Sequence, residues 1–134
     1  MASTPITILI ATLGQYVSPS QEMLDRYGGN ENIQNMIARS VQQANSSGCK
    51  ITTIALDPSD HSDSIERLTE MLKGTSFQGI MVIYGLRADQ EYTPLFEKVI
   101  NTVKDLWPTT RLLFNNGPDD LMKTFERGLS VRMS

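Results

Sequence analysis

The chain is poor in the residues that most often announce a chemistry. Its 134 residues include one cysteine, one histidine and one tryptophan. A lone Cys49 excludes an internal disulfide and fits a reducing setting, so a cytoplasmic location is expected. A lone His61 means that any imidazole acid–base chemistry must run through that residue. Apolar runs stop at about six residues, far short of the roughly 20 that a bilayer-spanning helix needs, so no membrane partner is expected. The opening Met-Ala-Ser-Thr-Pro has no basic stretch, and no secretory signal is read there. Basic residues are also in deficit. Twelve Lys and Arg face 15 Asp and Glu, for a net charge of -3, which argues against a nucleic-acid partner, because phosphate neutralisation needs clustered cations.

Known signatures are missing too. No Gly-x-Gly-x-x-Gly or Walker loop follows the first strand, and no Gly-x-Ser-x-Gly elbow occurs anywhere. The first loop lacks the Ser/Thr-rich phosphate cradle of flavodoxins, which lowers the case for FMN; no cofactor is expected.

What is present is a regular alternation of patterns across one domain, 1–134. Ile6–Ala11, apolar and rich in β-branched residues, reads as a strand buried on both faces, and Ile51–Leu56, Gly79–Tyr84 and Arg111–Phe114 are similar runs. Four amphipathic stripes separate or follow them. Ile33, Met36, Ile37, Val41 and Ala44 make the first, with Asn30 as its cap and Gly48 past its end. Ile65, Leu68, Met71 and Leu72 make the second, capped near Ser62 or Asp63. The third runs from Leu95 to Leu106 and stops at Pro108. The fourth, Leu121 to Leu129, is expected to start at Pro118, with acids in its first turn. The order β-α-β-α-β-α-β-α implies right-handed crossovers and a parallel sheet between helices. The expected fold is a three-layer αβα, Rossmann-like or flavodoxin-like, with strand order 2-1-3-4. The segment Leu13–Gly29 stands out, since its 17 residues exceed an ordinary βα loop. Gln21–Tyr27 is expected to form a short extra helix within it.

Ligands of open parallel sheets bind beyond the carboxyl ends of the strands. That rule selects Thr12, Gly14, Gln15, Tyr16 and Ser18 after strand one, Asp57, Ser59, Asp60 and His61 after strand two, Gly85, Arg87, Asp89 and Glu91 after strand three, and Asn115, Asn116, Asp119 and Asp120 after strand four. Arg87 is the candidate holder of a carboxylate or phosphate, as a bidentate fork. Its competing reading is a pair with Asp89, Glu91 or Asp57 that merely orders the rim. Asn115, Asn116, Asp119, Gly85 and Tyr16 are the further candidate ligand contacts, and Asp57, Asp89 or His61 the candidate proton carriers. The run Asp57 to Asp63 is explained equally by helix capping, and no metal site is read in it. The Asn115–Pro118 turn reads as an anion site at a helix N-terminus or as a plain turn with a cap.

Gly85-Leu86-Arg87, Leu95-Phe96-Glu97 with Asn101, Phe114-Asn115-Asn116-Gly117-Pro118-Asp119 and the later Arg127 resemble an uncharacterised family of small bacterial and fungal α/β proteins. Its members commonly read Gly-x-Arg, Leu-Phe-Glu-x-x-x-Asn, Phe-Asn-Thr-x-Pro-x-Asp and a later Arg-Trp. The resemblance implies the same fold and draws attention to the same rim; it implies no reaction. This chain departs from the pattern at four places. Asn116 stands for the threonine, Asp119 is an extra acid before Asp120, Gly128 stands for the tryptophan, and the first loop reads Ala-Thr-Leu-Gly-Gln-Tyr in place of Gly-Leu-Asp-Pro. A weaker likeness to the third block of SGNH esterases, at Gly85 to Asp89, comes without that family's nucleophile or histidine motif.

Two functions follow. The first is a small-molecule enzyme or binding protein with a pocket for a small anionic metabolite at the carboxyl rim. The alternative is a non-catalytic, homodimeric interaction module, paired through an open edge at strand four or through Phe114 and Trp107.

Overall fold

The computed structural model describes residues 4–131. Its centre is a four-stranded, all-parallel sheet in the order β2-β1-β3-β4, with β1 at Ile6–Thr12, β2 at Cys49–Ala55, β3 at Gly79–Val82 and β4 at Arg111–Phe114. The helices are α1 (Gln21–Tyr27), α2 (Asn30–Ser46), α3 (His61–Gly74), α4 (Tyr84–Ala88), α5 (Thr93–Leu106) and α6 (Leu121–Leu129). Short 3₁₀ turns occupy Gly14–Tyr16 and Gln90–Tyr92. Among the described residues, no helix is long and apolar enough to cross a membrane.

Strand periodicity splits the core in two. Successive side chains of a strand point to opposite faces. Leu9, Ala11, Ile80 and Val82 therefore meet Leu68 and Leu72 of α3 and Leu95, Val99 and Val103 of α5. Ile8, Ile10, Met81 and Leu113 face the other way, onto Ala44 of α2 and Leu121 and Phe125 of α6. Helices cover both faces of the sheet, as βαβ crossovers require.

Several boundaries differ from the sequence reading for identifiable reasons. β3 ends at Val82, and Tyr84 opens a helical turn, so Gly85 and Arg87 lie on α4 and not on a loop. The Tyr84 N–H leaves the strand ladder and donates to the Asn115 side chain. β2 begins at Cys49, which is buried; burial pushes its thiol pKa up and lowers its thiolate content. The α3 cap is Asp60, whose carboxylate accepts from the Asp63 N–H at 3.0 Å, in place of Ser62 or Asp63. Gly29, not Asn30, holds the cap position of α2. α6 starts at Leu121, three residues beyond Pro118, because residues 116–120 are drawn into a closed loop described below. Gly128 packs closely on the Leu113 side chain, which would have to shift to admit a Cβ there.

On each edge strand one backbone group is met by a side chain from a covering helix. The Ile51 N–H of β2 donates to Asn45 Oδ1 at 3.3 Å, and the Phe114 carbonyl of β4 accepts from Arg127 Nη2 at 2.8 Å. Groups of this kind, left open, would recruit a foreign strand.

Candidate functional site at the carboxyl rim

The carboxyl ends of β3 and β4 are tied together by Arg87 and Asn115. Asn115 is 1% exposed. Its Oδ1 accepts from the Tyr84 N–H at 2.8 Å, and its Nδ2 donates to the Gly117 carbonyl at 2.8 Å. A buried carboxamide is stable only when both ends are matched, and here they are. Arg87, on α4, reaches across to β4. Its Nη2 donates to the Asn115 carbonyl at 2.6 Å and to Asn116 Oδ1 at 3.2 Å. Its guanidinium carbon stands 5.1 Å from the Tyr84 ring centroid and 5.8 Å from that of Phe114, within the range of cation–π attraction. Phe96 tilts against Phe114 from behind, with centroids 6.2 Å apart.

Arg87 thus works in part as a strut, yet none of the acids suggested as its partners pairs with it. The ion pairs among the described residues are Arg26–Glu22 and Arg67–Asp63. Arg87 Nε is buried without a hydrogen-bond partner. The bidentate fork read from the sequence is not on offer, because both Nη2 donors are committed to Asn115 and Asn116. What remains for a ligand is Nη1, together with the Nδ2 of Asn116, whose oxygen Arg87 already holds.

The next turn has its own anion. The Asp120 carboxylate accepts from the Asn116 N–H at 3.0 and 3.1 Å and from the Gly117 N–H at 3.1 Å. Consecutive backbone donors of this kind make a nest for a negative group. Asp120 fills it, so the anion site imagined at the start of α6 is already satisfied from within. Asp119 points elsewhere and accepts from the Tyr27 hydroxyl at 3.2 Å. Tyr27 lies directly over Gly117; a Cβ at that glycine would come within 2.6 Å of the phenolic oxygen.

The other candidates lie apart from this group. β2 is separated from β3 by β1, a lateral gap of about 10 Å at normal strand spacing. There Asp57 Oδ1 accepts from both the Ser59 hydroxyl (2.7 Å) and the Ser59 N–H (2.9 Å). These bonds hold the Asp57 carboxyl below its usual range, the hydroxyl contributing most. A carboxylate so stabilised is a weak base. Ser59→Ala is expected to raise the Asp57 pKa towards the ordinary value, read by following its carboxyl signal through an NMR titration. The native pKa is the depressed one, so the associated stability is present above about pH 4 and fades as pH falls through it. His61, the first residue of α3, faces Lys98 of α5, with Nδ1 3.2 Å from Nζ. Asp89 caps the second 3₁₀ turn through the Glu91 N–H at 2.9 Å. Among the described residues no cluster of three or more His, Cys, Asp or Glu is arranged to hold a metal ion.

Beyond the carboxyl ends of β1 and β3, where such folds commonly bind ligands, stands an apolar side chain. Leu13 is 7% exposed and sits in the core beside Gly85, where its Cδ1 would lie 3.9 Å from a Cβ. Tyr16, 45% exposed, is on the turn that leans on Ala55 at the end of β2 and is remote from β4. The geometry therefore unites Arg87, Asn115 and Asn116, with Asp119 on the same loop. It leaves Asp57, His61 and Tyr16 in a second neighbourhood. Tyr84 and Tyr27 are not among the sequence candidates, and Asp120 is among the rim residues but not among the expected ligand contacts. Asp120 had a local signal, an acid four residues past Asn116 at a helix start, whereas Tyr27 reaches Asp119 across 92 positions with none.

No protein-family model matches this chain, and no curated protein matches it.

Proposed function

We propose that the protein binds a small anionic metabolite at the carboxyl rim of β3 and β4, through Arg87 Nη1 and Asn116 Nδ2. The observation that carries this reading is a half-buried guanidinium, held in place by Asn115 and Asn116, with no carboxylate beside it. Placing a fixed cation in partly desolvated surroundings costs free energy, and a bound carboxylate or phosphate offsets that cost. Preorganisation favours the same conclusion, since the side chain needs no further ordering to meet a ligand. Binding rather than catalysis is the better-supported half of the proposal. Of the residues that hydrogen-bond to Arg87 or meet it through a ring, Tyr84 alone is titratable.

The homodimeric alternative has less behind it. Arg127 and Asn45 each meet one backbone group of an edge strand, and Tyr16 is the one large apolar side chain that is well exposed among the described residues. The indole N–H of Trp107 is committed to the Leu72 carbonyl at 2.7 Å.

A thermal-shift series with inorganic phosphate and simple carboxylates tests the proposal. A ligand at about 100 times its Kd stabilises by roughly 2.7 kcal/mol, a rise of several degrees. Wild type is expected to show that rise with at least one of these anions, and Arg87→Gln to lose it. The comparison uses the ligand-induced shift, since the variant also loses a strut. A rise that survives in Arg87→Gln counts against the assignment.

A further inference from the structure

Rings surround the Arg87 guanidinium. Its carbon lies 5.1 Å from the Tyr84 centroid and 5.8 Å from that of Phe114, and Phe96 tilts on Phe114 at 6.2 Å. All three rings are half-buried. Phe96 and Phe114 form part of the margin of one core cluster, and the Tyr84 ring belongs to neither cluster. Each keeps part of its surface in water. Aromatic surface beside a fixed cation is matched by a flat ring bearing an anion, since rings gain from stacking or tilting on one another beyond the area they bury.

Donor count and charge restrict the anion further. Arg87 Nη1 and Asn116 Nδ2 are the nitrogens left to donate, because Nη2 and Oδ1 are engaged and Nε is buried. A carboxylate has two oxygens for these two nitrogens, whereas a phosphoryl group brings a third. Arg87 supplies one positive charge. The nearby Arg127 is turned to the Phe114 carbonyl. Asp119 and Asp120 follow Asn116 by three and four positions on the same loop. A second negative charge on the ligand is therefore disfavoured.

We propose that the anion taken at Arg87 and Asn116 is the carboxylate of a flat aromatic acid bearing a single negative charge. The carboxylate bridges Nη1 and Nδ2, and the ring lies against Tyr84 and Phe114. Phosphate uses the same donors more weakly, without help from the rings. This inference deepens the anion-site reading and rests on it.

NMR-detected titrations of the intact protein at pH 8 with acetate, cyclohexanecarboxylate, benzoate and phenyl phosphate test it. Benzoate is expected to bind about 10-fold more tightly than acetate, with cyclohexanecarboxylate between them. Phenyl phosphate carries the same ring with about two charges at this pH, since its second pKa is near 6, and is expected to bind more weakly than benzoate. Phe114→Leu keeps apolar bulk on β4 and is expected to shrink the advantage of benzoate over acetate several-fold; Arg87→Gln is expected to abolish benzoate binding. Benzoate no tighter than acetate, or cyclohexanecarboxylate equal to benzoate, overturns the aromatic class and leaves the anion site standing. Phenyl phosphate tighter than benzoate overturns the singly charged carboxylate. An undiminished benzoate advantage in Phe114→Leu overturns the ring placement. Benzoate binding that survives in Arg87→Gln overturns the proposal as a whole. Absence of binding by all four ligands and by inorganic phosphate overturns the anion site, and this proposal with it.

Discussion

Asn115→Leu is expected to lower the stability of the fold by about 2–5 kcal/mol. The side chains are similar in volume, so the loss comes from hydrogen bonding and not from a cavity. Leucine leaves the Tyr84 N–H and the Gly117 carbonyl unmatched, the latter in buried surroundings. Each such orphan costs about 1–3 kcal/mol, because water no longer reaches it. Urea unfolding measures this as a lower midpoint with an unchanged slope. A loss below about 1 kcal/mol would mean that the β3–α4 corner does not depend on this carboxamide. Arg87 draws its position from the same corner, so weaker anion binding is expected to accompany the destabilisation.

Phe125→Ala is expected to cost more, about 3–5 kcal/mol. Phe125 is the largest fully buried side chain of the α6 face and packs with Ile8, Ile10, Met81, Leu113 and Leu121. Truncation removes apolar burial and leaves a void that a close-packed interior fills incompletely. Natural domains are stable by about 5–15 kcal/mol in total, so the variant is best measured by urea unfolding near its stability maximum, at about 10–20 °C. α6 also carries Arg127, which caps the β4 edge at Phe114, and it follows the Asp120 turn. Faster exchange at residues 114–120 is therefore expected alongside the lower midpoint. A loss under about 2 kcal/mol would indicate that α6 closes over the gap.

The fold was largely legible in the sequence because its signals are local. Ile6 to Ala11 is largely apolar and rich in β-branched residues, and both of its faces are covered. Helical stripes such as Leu95, Val99 and Val103 repeat at the helical period and are all buried. Handedness and the alternation of elements narrow the strand orders, and the preferred one, 2-1-3-4, is the order found. Even α1 was readable, since Ser20 caps it through the Met23 N–H and Gly28 closes it.

The limits of legibility are long-range contacts. The run Ile80 to Tyr84 looks like one continuous strand. Nothing local says that the Tyr84 N–H finds a carboxamide 31 positions away and turns the chain into α4. Pro118 is a plausible helix start, but the Asp120 carboxylate captures the Asn116 and Gly117 N–H groups and delays the helix to Leu121. The rim residues Arg87, Asn115 and Asn116 were picked out by their loop position, and they do meet. The bidentate grip expected of Arg87 is too generous, because a sequence does not reveal that Nη2 is committed to Asn115 and Asn116. Asp57 and His61 were grouped with Arg87 by rim alone, and the order β2-β1-β3-β4 keeps them on the far side of β1.

The most direct test of the anion-site account is a ¹⁵N-resolved NMR titration of the intact protein with inorganic phosphate, following the Arg87 guanidinium and the Asn116 carboxamide. The account predicts saturable shifts at Arg87 Nη1 and Asn116 Nδ2, spreading to the backbone of residues 115–120 and absent from Asp57 and His61. Saturable shifts centred on His61 and Lys98, or none at Arg87 while phosphate binds elsewhere, would contradict it.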